Sequence, residues 1–194
     1  MTKKIKQPQF LKGEKIFLRP LVEADITSEY VRWLNDADLS FFIPSMAFPA
    51  TQQSVMKYLH DHNMNTNNMF FAIIEKKTGV HIGNIKLGPI DWISRNAYFG
   101  RLIGFPSFRS KGYGQEAVRL ILHYAFNVLN MHKIFAGCLS SNVAAIQSNK
   151  KCGLAVEAIL KEKHFSHGRY HDSVILSITY IQYLKQNLRK KLTN

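Results

Sequence analysis

The segment of this 194-residue chain whose residue types and spacing most directly imply chemistry is Arg109-Ser110-Lys111-Gly112-Tyr113-Gly114. It lies between a strand-like stretch, Asn96–Ile103, and a long amphipathic stretch that Gly112 opens. A helix N-terminus carries unpaired N–H groups and the positive end of the helix dipole, and together these hold phosphate. Glycines at 112 and 114 remove side chains that would keep a pyrophosphate away from those groups. Arg109 and Lys111 add positive charge at the same place. A glycine-rich turn that merely starts a helix has the same composition. The spacing is neither Gly-x-x-x-x-Gly-Lys-Ser/Thr nor Gly-x-Gly-x-x-Gly with a ribose-binding acid, which argues against a P-loop and a dinucleotide site.

Acid–base chemistry is harder to place. Asp91 precedes the Asn96–Ile103 stretch and Tyr98 lies within it, while His164, His167 and His171 cluster near the last hairpin. Histidines at a turn are ordinarily surface groups. Cys152 has no evident base to activate it as a nucleophile. The two cysteines, Cys138 and Cys152, make neither a disulfide framework nor a zinc site, so no metal is expected.

The elements that must position these residues can be traced by periodicity. Strands are expected at Lys15–Leu21, Met69–Glu75, Val80–Leu87, Asn96–Ile103, Lys133–Leu139, Ala155–Phe165 and Asp172–Tyr180. Helical spacing runs from Glu23 to Asn35, from Thr51 as N-cap to about Leu59, along the face Ala117, Leu120, Ile121, Tyr124, Ala125 and Val128, and over Asn142–Lys151. Gly153 closes the last of these. The order describes an α+β domain over residues 10–184, with basic tails at 1–9 and 185–194.

Composition narrows the setting. Residues 1–19 carry a net charge of +5 and residues 183–194 one of +4, leaving +4 of the total +13 for the rest. Terminal charge runs are ordinarily solvated, and no interleaved basic and aromatic stripe favours nucleic acid. No apolar run approaches the roughly 18 residues that span a bilayer, so no membrane association is expected. The lysines near the N-terminus lack an apolar h-region behind them, and a cytoplasmic protein is expected.

Arg109–Gly114, Leu129–Ile134, Asn142-x-x-Ala145, Lys151–Leu154 and Gly168–Asp172 together resemble, in order, the motifs of GNAT acetyltransferases. Leu18–Leu21 and Trp33–Asp36 resemble the branch typified by ribosomal-protein alanine acetyltransferases, which includes bacterial amino-sugar acetyltransferases. The resemblance implies a mixed, mostly antiparallel central sheet flanked by helices, with its fourth and fifth strands splayed. It implies acetyl-CoA as co-substrate. Leu102, Ile103 and Gly104 would offer main-chain groups to the pantetheine arm. Arg109, Ser110, Lys111, Gly112, Tyr113 and Gly114 would bind the pyrophosphate, and Asn142, Ala145 and Asn149 would face the cofactor. Asn142 also suits a simple N-cap.

Two positions depart from the family pattern. Many relatives have a proton-donating tyrosine where this chain has Asn149, and a glutamate where it has Tyr98. Asparagine is no acid at neutral pH. Asn149, Tyr98 and Asp91 are therefore only weak catalytic candidates, and the general base is unassigned. A non-catalytic coenzyme A-binding module is the alternative class.

The resemblance implies a small-molecule or peptide amine as the acceptor. Residues 23–38 hold five acids and one arginine, which could receive a cationic amine or form an exposed face. Trp33, Asn35, Asp36 and Trp92 are candidate substrate contacts, and Trp33, Phe41, Phe42 and Trp92 could make apolar or sugar-stacking walls, with core packing the default for each of these aromatics. A nucleotide-linked amino sugar leads, ahead of a protein N-terminus and a polyamine. A homodimer is compatible with this class.

Overall fold

A computed structural model describes residues 9–43, 46–63 and 66–192. Two strands open it, Leu11–Lys12 (β1) and Ile16–Pro20 (β2). Three helices follow: Ser28–Leu34 (α1), Ala37–Ser40 (α2) and Gln52–Asn63 (α3). Next come Met69–Glu75 (β3), His81–Asp91 (β4), Asn96–Ile103 (β5) and Tyr113–Asn127 (α4). The chain then forms Lys133–Leu139 (β6), Val143–Lys151 (α5), Ala155–Ser166 (β7), Arg169–Thr179 (β8) and Tyr180–Leu192 (α6).

The strands make one sheet in the order β1-β2-β3-β4-β5-β6-β8-β7. Every neighbouring pair is antiparallel except β5–β6, which the α4 crossover makes parallel. Both faces are covered. Leu87, Ala97 and Phe99 pack with Ala117, Ile121 and Ala125 of α4, while Ala72, Ile74 and Leu102 pack with Tyr30, Trp33 and Leu59 on the α1–α3 side. Burial from both sides explains why β3 reads as an unbroken apolar run, MFFAIIE, without alternation.

The feature that creates a site is the short pairing between β5 and β6. Asn96, Ala97 and Tyr98 oppose Lys133, Ile134 and Phe135, and the ladder stops there. Beyond it β5 continues against β4 as far as Ile103, and β6 against β8 as far as Leu139. The two central strands, fourth and fifth in the sequence count, therefore fork.

Three expectations need adjustment. The helical pattern over Glu23–Asn35 is broken into a 3-10 turn at Glu23–Asp25 and α1, because Thr27 caps α1 by accepting the Tyr30 N–H. The segment read as a basic tail from residue 185 is mostly α6, whose Tyr183 ring packs 4.9 Å from that of Phe126. Finally, the sheet has an extra edge strand, β1, paired to β2 through Leu11↔Leu18.

Candidate active site

The cradle at the head of α4 is built from backbone conformation. Gly112 caps the helix at φ +88, and a Cβ there would be strained while facing open space. Ser110 also takes a left-handed φ of +60. The first intrahelical bond runs from the Glu116 N–H to the Gly112 carbonyl at 3.0 Å, so the amides of Tyr113, Gly114 and Gln115 lead the helix. Gly114 is small for a different reason: its Cβ would lie 3.1 Å from Arg101 Nε. Glu116 fastens the helix to the sheet by accepting the Lys15 and Ile16 N–H groups at 3.0 and 3.4 Å.

Of the three bulky residues of the motif, Arg109 lines the chamber that the cradle heads and makes side-chain contacts of its own. Arg109 donates to the carbonyls of Ile103 at 3.1 Å and Gly104 at 2.7 Å, and pairs with Asp36 at 3.8 Å. Its guanidinium clamps the loop onto the end of β5. The Lys111 side chain is exposed, and the Tyr113 ring packs 5.7 Å from that of Phe108.

Two chambers meet at the fork. One, of about 610 Å³, runs from Ser110, Gly112, Gly114 and Gln115 along α5. The other, of about 360 Å³, is walled by Tyr30, Phe42, Met46, Phe70 and Lys86. Phe42, Ile43, Arg101, Leu102, Asn142 and Ala145 line both. The first chamber suits a phosphorylated, elongated donor, since its head is a ring of leading amides and Gly112 leaves the approach clear.

Main-chain groups on the inner edge of β5 are partly committed. The Gly104 N–H donates to Ile82 at 2.9 Å, and Leu102 is buried on the α1–α3 side. Because main-chain direction alternates along a strand, Phe99, Arg101 and Ile103 present theirs away from β4. Leu102 and Gly104, expected to serve a pantetheine arm, face the neighbouring strand, and Ile103 faces the open edge.

On the opposite wall, Asn142 caps α5 by accepting the Ala145 N–H at 3.0 Å while lining both chambers. Asn149 is buried about two turns further along α5, its Oδ1 accepting from Arg101 Nη1 at 2.5 Å and its Nδ2 donating to Cys138 Sγ at 3.5 Å. Burial pushes the Cys138 thiol above its ordinary pKa, against the opposing pull of Arg101 and Asn149.

Several sequence candidates lie elsewhere. Asp91 accepts the N–H groups of Ile93 and Ser94 at 3.0 and 2.9 Å, shaping the β4–β5 turn; the Ser94 side chain, and then these bonds, hold its carboxyl below the usual range. Trp92, in the same turn, donates to Asn67 at 3.0 Å. Tyr98 stacks on Phe135 at 5.1 Å, where the strands are still paired. Trp33 is core: it is 5% exposed, donates to Glu29, and packs so tightly on Gly104 that a Cβ there would fall 2.0 Å from its ring. Asn35 ties α1 to Ala50 through two hydrogen bonds, 2.8 and 2.9 Å. Asp36 caps α2 by accepting the Asp38 and Leu39 N–H groups. None of these six lines either chamber among the described residues. Packing and turn-making took them.

His167 and His171 lie against Phe41, at 5.0 and 5.6 Å, and His171 is buried. His164 has its pKa lowered by partial burial and the neighbouring Lys163. Cys152 is buried, with its thiol 3.5 Å from the Gln115 carbonyl. Among the described residues no cluster of three His, Cys, Asp or Glu side chains could hold a metal, and no helix is long and apolar enough to cross a membrane.

Sequence reasoning missed Arg101 and Lys86, whereas Phe42, expected as an aromatic wall, lines both chambers. An arginine in the middle of the apolar β5 stretch, between Gly100 and Leu102, was the available signal. Lys86 gave none, because its neighbours come from distant segments.

The model of the acetyltransferase (GNAT) domain matches residues 15–155. The chain belongs to the GNAT family. It is an N-acetyltransferase that uses acetyl-CoA as co-substrate, with the mixed, mostly antiparallel sheet of that fold. Spermidine N(1)-acetyltransferase of Vibrio cholerae is 30% identical over 179 residues, spanning 90% of this chain and 99% of the relative. The Escherichia coli K12 spermidine N(1)-acetyltransferase is 29% identical over 90% of this chain and 91% of its own. The V. cholerae spermidine N-acetyltransferase in complex with CoA and spermine superposes with a TM-score of 0.80 at 25% identity, covering 88% of this chain and 98% of that one.

These relatives correct the expected branch. They are spermidine N-acetyltransferases, not ribosomal-protein alanine or amino-sugar acetyltransferases. The segments that suggested otherwise serve the fold: Arg19 makes two 2.6 Å bonds to buried Asp25, and Trp33 packs on Gly104.

Proposed function

We propose that the chain acetylates a primary amine of a polyamine at the fork between β5 and β6. The observation that carries the reaction class is the meeting of the donor chamber, headed by the α4 amides, with a second chamber at Arg101, Leu102 and Asn142. The polyamine is supported by the spermidine N-acetyltransferases that span 90% of the chain. Ser110, Gly112, Gly114 and Gln115 would hold the pyrophosphate, and the open edge of β5 at Ile103 the pantetheine arm. Acetyl-CoA supplies the activated acyl group. The chain's own contribution is to bring amine and thioester together and to polarise the carbonyl, through proximity and fixed dipoles. No carboxylate or histidine is among the described residues of the second chamber, while Asp38 lines the first.

One observation favours a second acceptor, an amine that also carries an anion, such as a nucleotide-linked amino sugar. Lys86 lines the second chamber, its ammonium 5.2 Å from the Phe70 ring centre and its pKa lowered by burial. Of the acids in residues 23–38, Asp25 is paired with Arg19 and Glu29 with Arg32. A cation in the acceptor chamber repels a polyamine and attracts a diphosphate. Acetylation of spermidine, N-terminal peptides and nucleotide-linked amino sugars, each with wild type and Lys86→Glu, separates the two. The polyamine reading expects spermidine to be the best substrate and Lys86→Glu to lower its KM. Preference for the anionic amine, lost in Lys86→Glu, would establish the second.

Self-association is proposed as well. The edge strand β7 exposes Ile159 and Phe165, and the V. cholerae relative has a dodecameric structure that superposes with a TM-score of 0.75.

A further inference from the structure

We propose that Arg101 is a catalytic residue, a fixed cation that takes up the negative charge appearing on the departing sulfur. The inference rests on the acetyl-transfer reading but not on the identity of the amine. Transfer forms the C–N bond and breaks the C–S bond, leaving the electron pair on sulfur while the amine's proton goes to water. Donor and acceptor chambers share few side chains, so the bond exchange falls where they meet. Arg101 is the charged side chain at that junction among the described residues.

Its direction follows from the strand. Ala97 and Phe99 point toward α4, and Arg101, two residues on, shares that face, with its Nε beside Gly114 and its Nη1 on Asn149. The guanidinium is thus held between the head of α4 and the middle of α5. No carboxylate pairs with it among the described residues; Asn149 is neutral, and burial keeps the nearby Cys138 thiol protonated. A half-buried guanidinium stays charged, and without a countercharge it favours whatever anion forms beside it. Asn149 is a positioning residue here: it cannot supply a proton, but its carbonyl oxygen aims the guanidinium.

The decisive readout is the acidity of the CoA thiol in the binary complex, followed by the ultraviolet absorbance of the thiolate and corrected for the protein alone. In the wild type the bound thiol should titrate below free CoA. In Arg101→Met its acidity should fall by about tenfold or more, while Arg101→Lys should retain part of the effect. Turnover should drop roughly a hundredfold in Arg101→Met with little change in CoA affinity. Arg101→Gln carries the same comparison if the methionine variant does not fold. A bound thiol that titrates alike in wild type and the neutral variants overturns the proposal. So does a loss of CoA affinity with unchanged thiol acidity, which would make Arg101 a phosphate contact. The titration needs CoA binding alone, so it remains readable if no tested amine is acetylated.

Discussion

Arg101 of β5 and Asn149 of α5 are joined by a 2.5 Å hydrogen bond, Nη1 to Oδ1, at the fork where β5 leaves β6. A hydrogen bond to a charged group contributes about 1.5–3 kcal/mol, so Asn149→Ala should lower turnover by roughly tenfold or more as the guanidinium loses its aim. Asn149→Asp should cost more, because it places a countercharge where the amide now sits. Steady-state kinetics of both variants check this ordering. An aspartate variant as active as wild type would show that the free charge of Arg101 is irrelevant.

The cradle makes a binding prediction. At Gly112, φ is +88, and valine there costs about 1–3 kcal/mol of strain while crowding the amides. Gly112→Val should weaken CoA binding at least tenfold or so, and Gly114→Ala less, since a small shift of the Arg101 side chain relieves its 3.1 Å contact. Calorimetric titration of the folded variants measures both. Unchanged affinity in Gly112→Val would remove the α4 amides from the donor site.

Gly104 and Trp33 test whether the tryptophan is core or substrate wall. A Cβ at Gly104 would sit 2.0 Å from the Trp33 ring, so Gly104→Ala should destabilise by about 1–3 kcal/mol. Trp33→Ala should cost about 3–5 kcal/mol through the cavity it leaves. Denaturant unfolding reads both. A stable Trp33→Ala protein with altered acceptor preference would return Trp33 to the substrate site.

Acid sensitivity should trace in part to His81. It lies on the α1–α3 side between Trp33 and Tyr30, its Nε2 within 2.9 Å of the Gly83 carbonyl and Asn84 Oδ1. Burial lowers its pKa below 6.5, outweighing the pull of Asn84, Asp25 and Gly83. The unfolded chain therefore takes up a proton there before the folded one does. The stability from neutral His81 is complete above the unfolded pKa and is lost as pH falls through the folded pKa. His81→Gln should flatten the decline in unfolding free energy between about pH 7.5 and about pH 5. Equal declines in variant and wild type would contradict this.

What could be read in the sequence was whatever is local. Gly112, Asn142 and Gly153 announced helix ends because caps and left-handed turns depend on a few adjacent residues, and Gly153 does close α5, donating to Lys150 while Leu154 donates to Asn149. The strands from Met69 to Ile103 were legible from their apolar runs. The walls of the acceptor chamber were mostly not, because Tyr30, Phe70 and Lys86 join Phe42, the one wall residue named as such from sequence, only through tertiary packing. Trp33 and Trp92 looked alike as aromatic candidates, yet one is buried on Gly104 and the other caps a turn by bonding Asn67. Motif position put Arg109 at the cradle, and it lines the donor chamber while donating to the carbonyls of Ile103 and Gly104.

The most direct test of acetyl transfer at the fork is simultaneous detection of free thiol and acetylated amine when the protein is mixed with acetyl-CoA and spermidine. Thiol release should match N-acetylspermidine formation by mass spectrometry, require the amine, and collapse in Arg101→Met without loss of CoA binding. Tight CoA binding with no acetylated product from spermidine, peptide or nucleotide-linked amines would contradict a catalytic fork and leave only a coenzyme A-binding module.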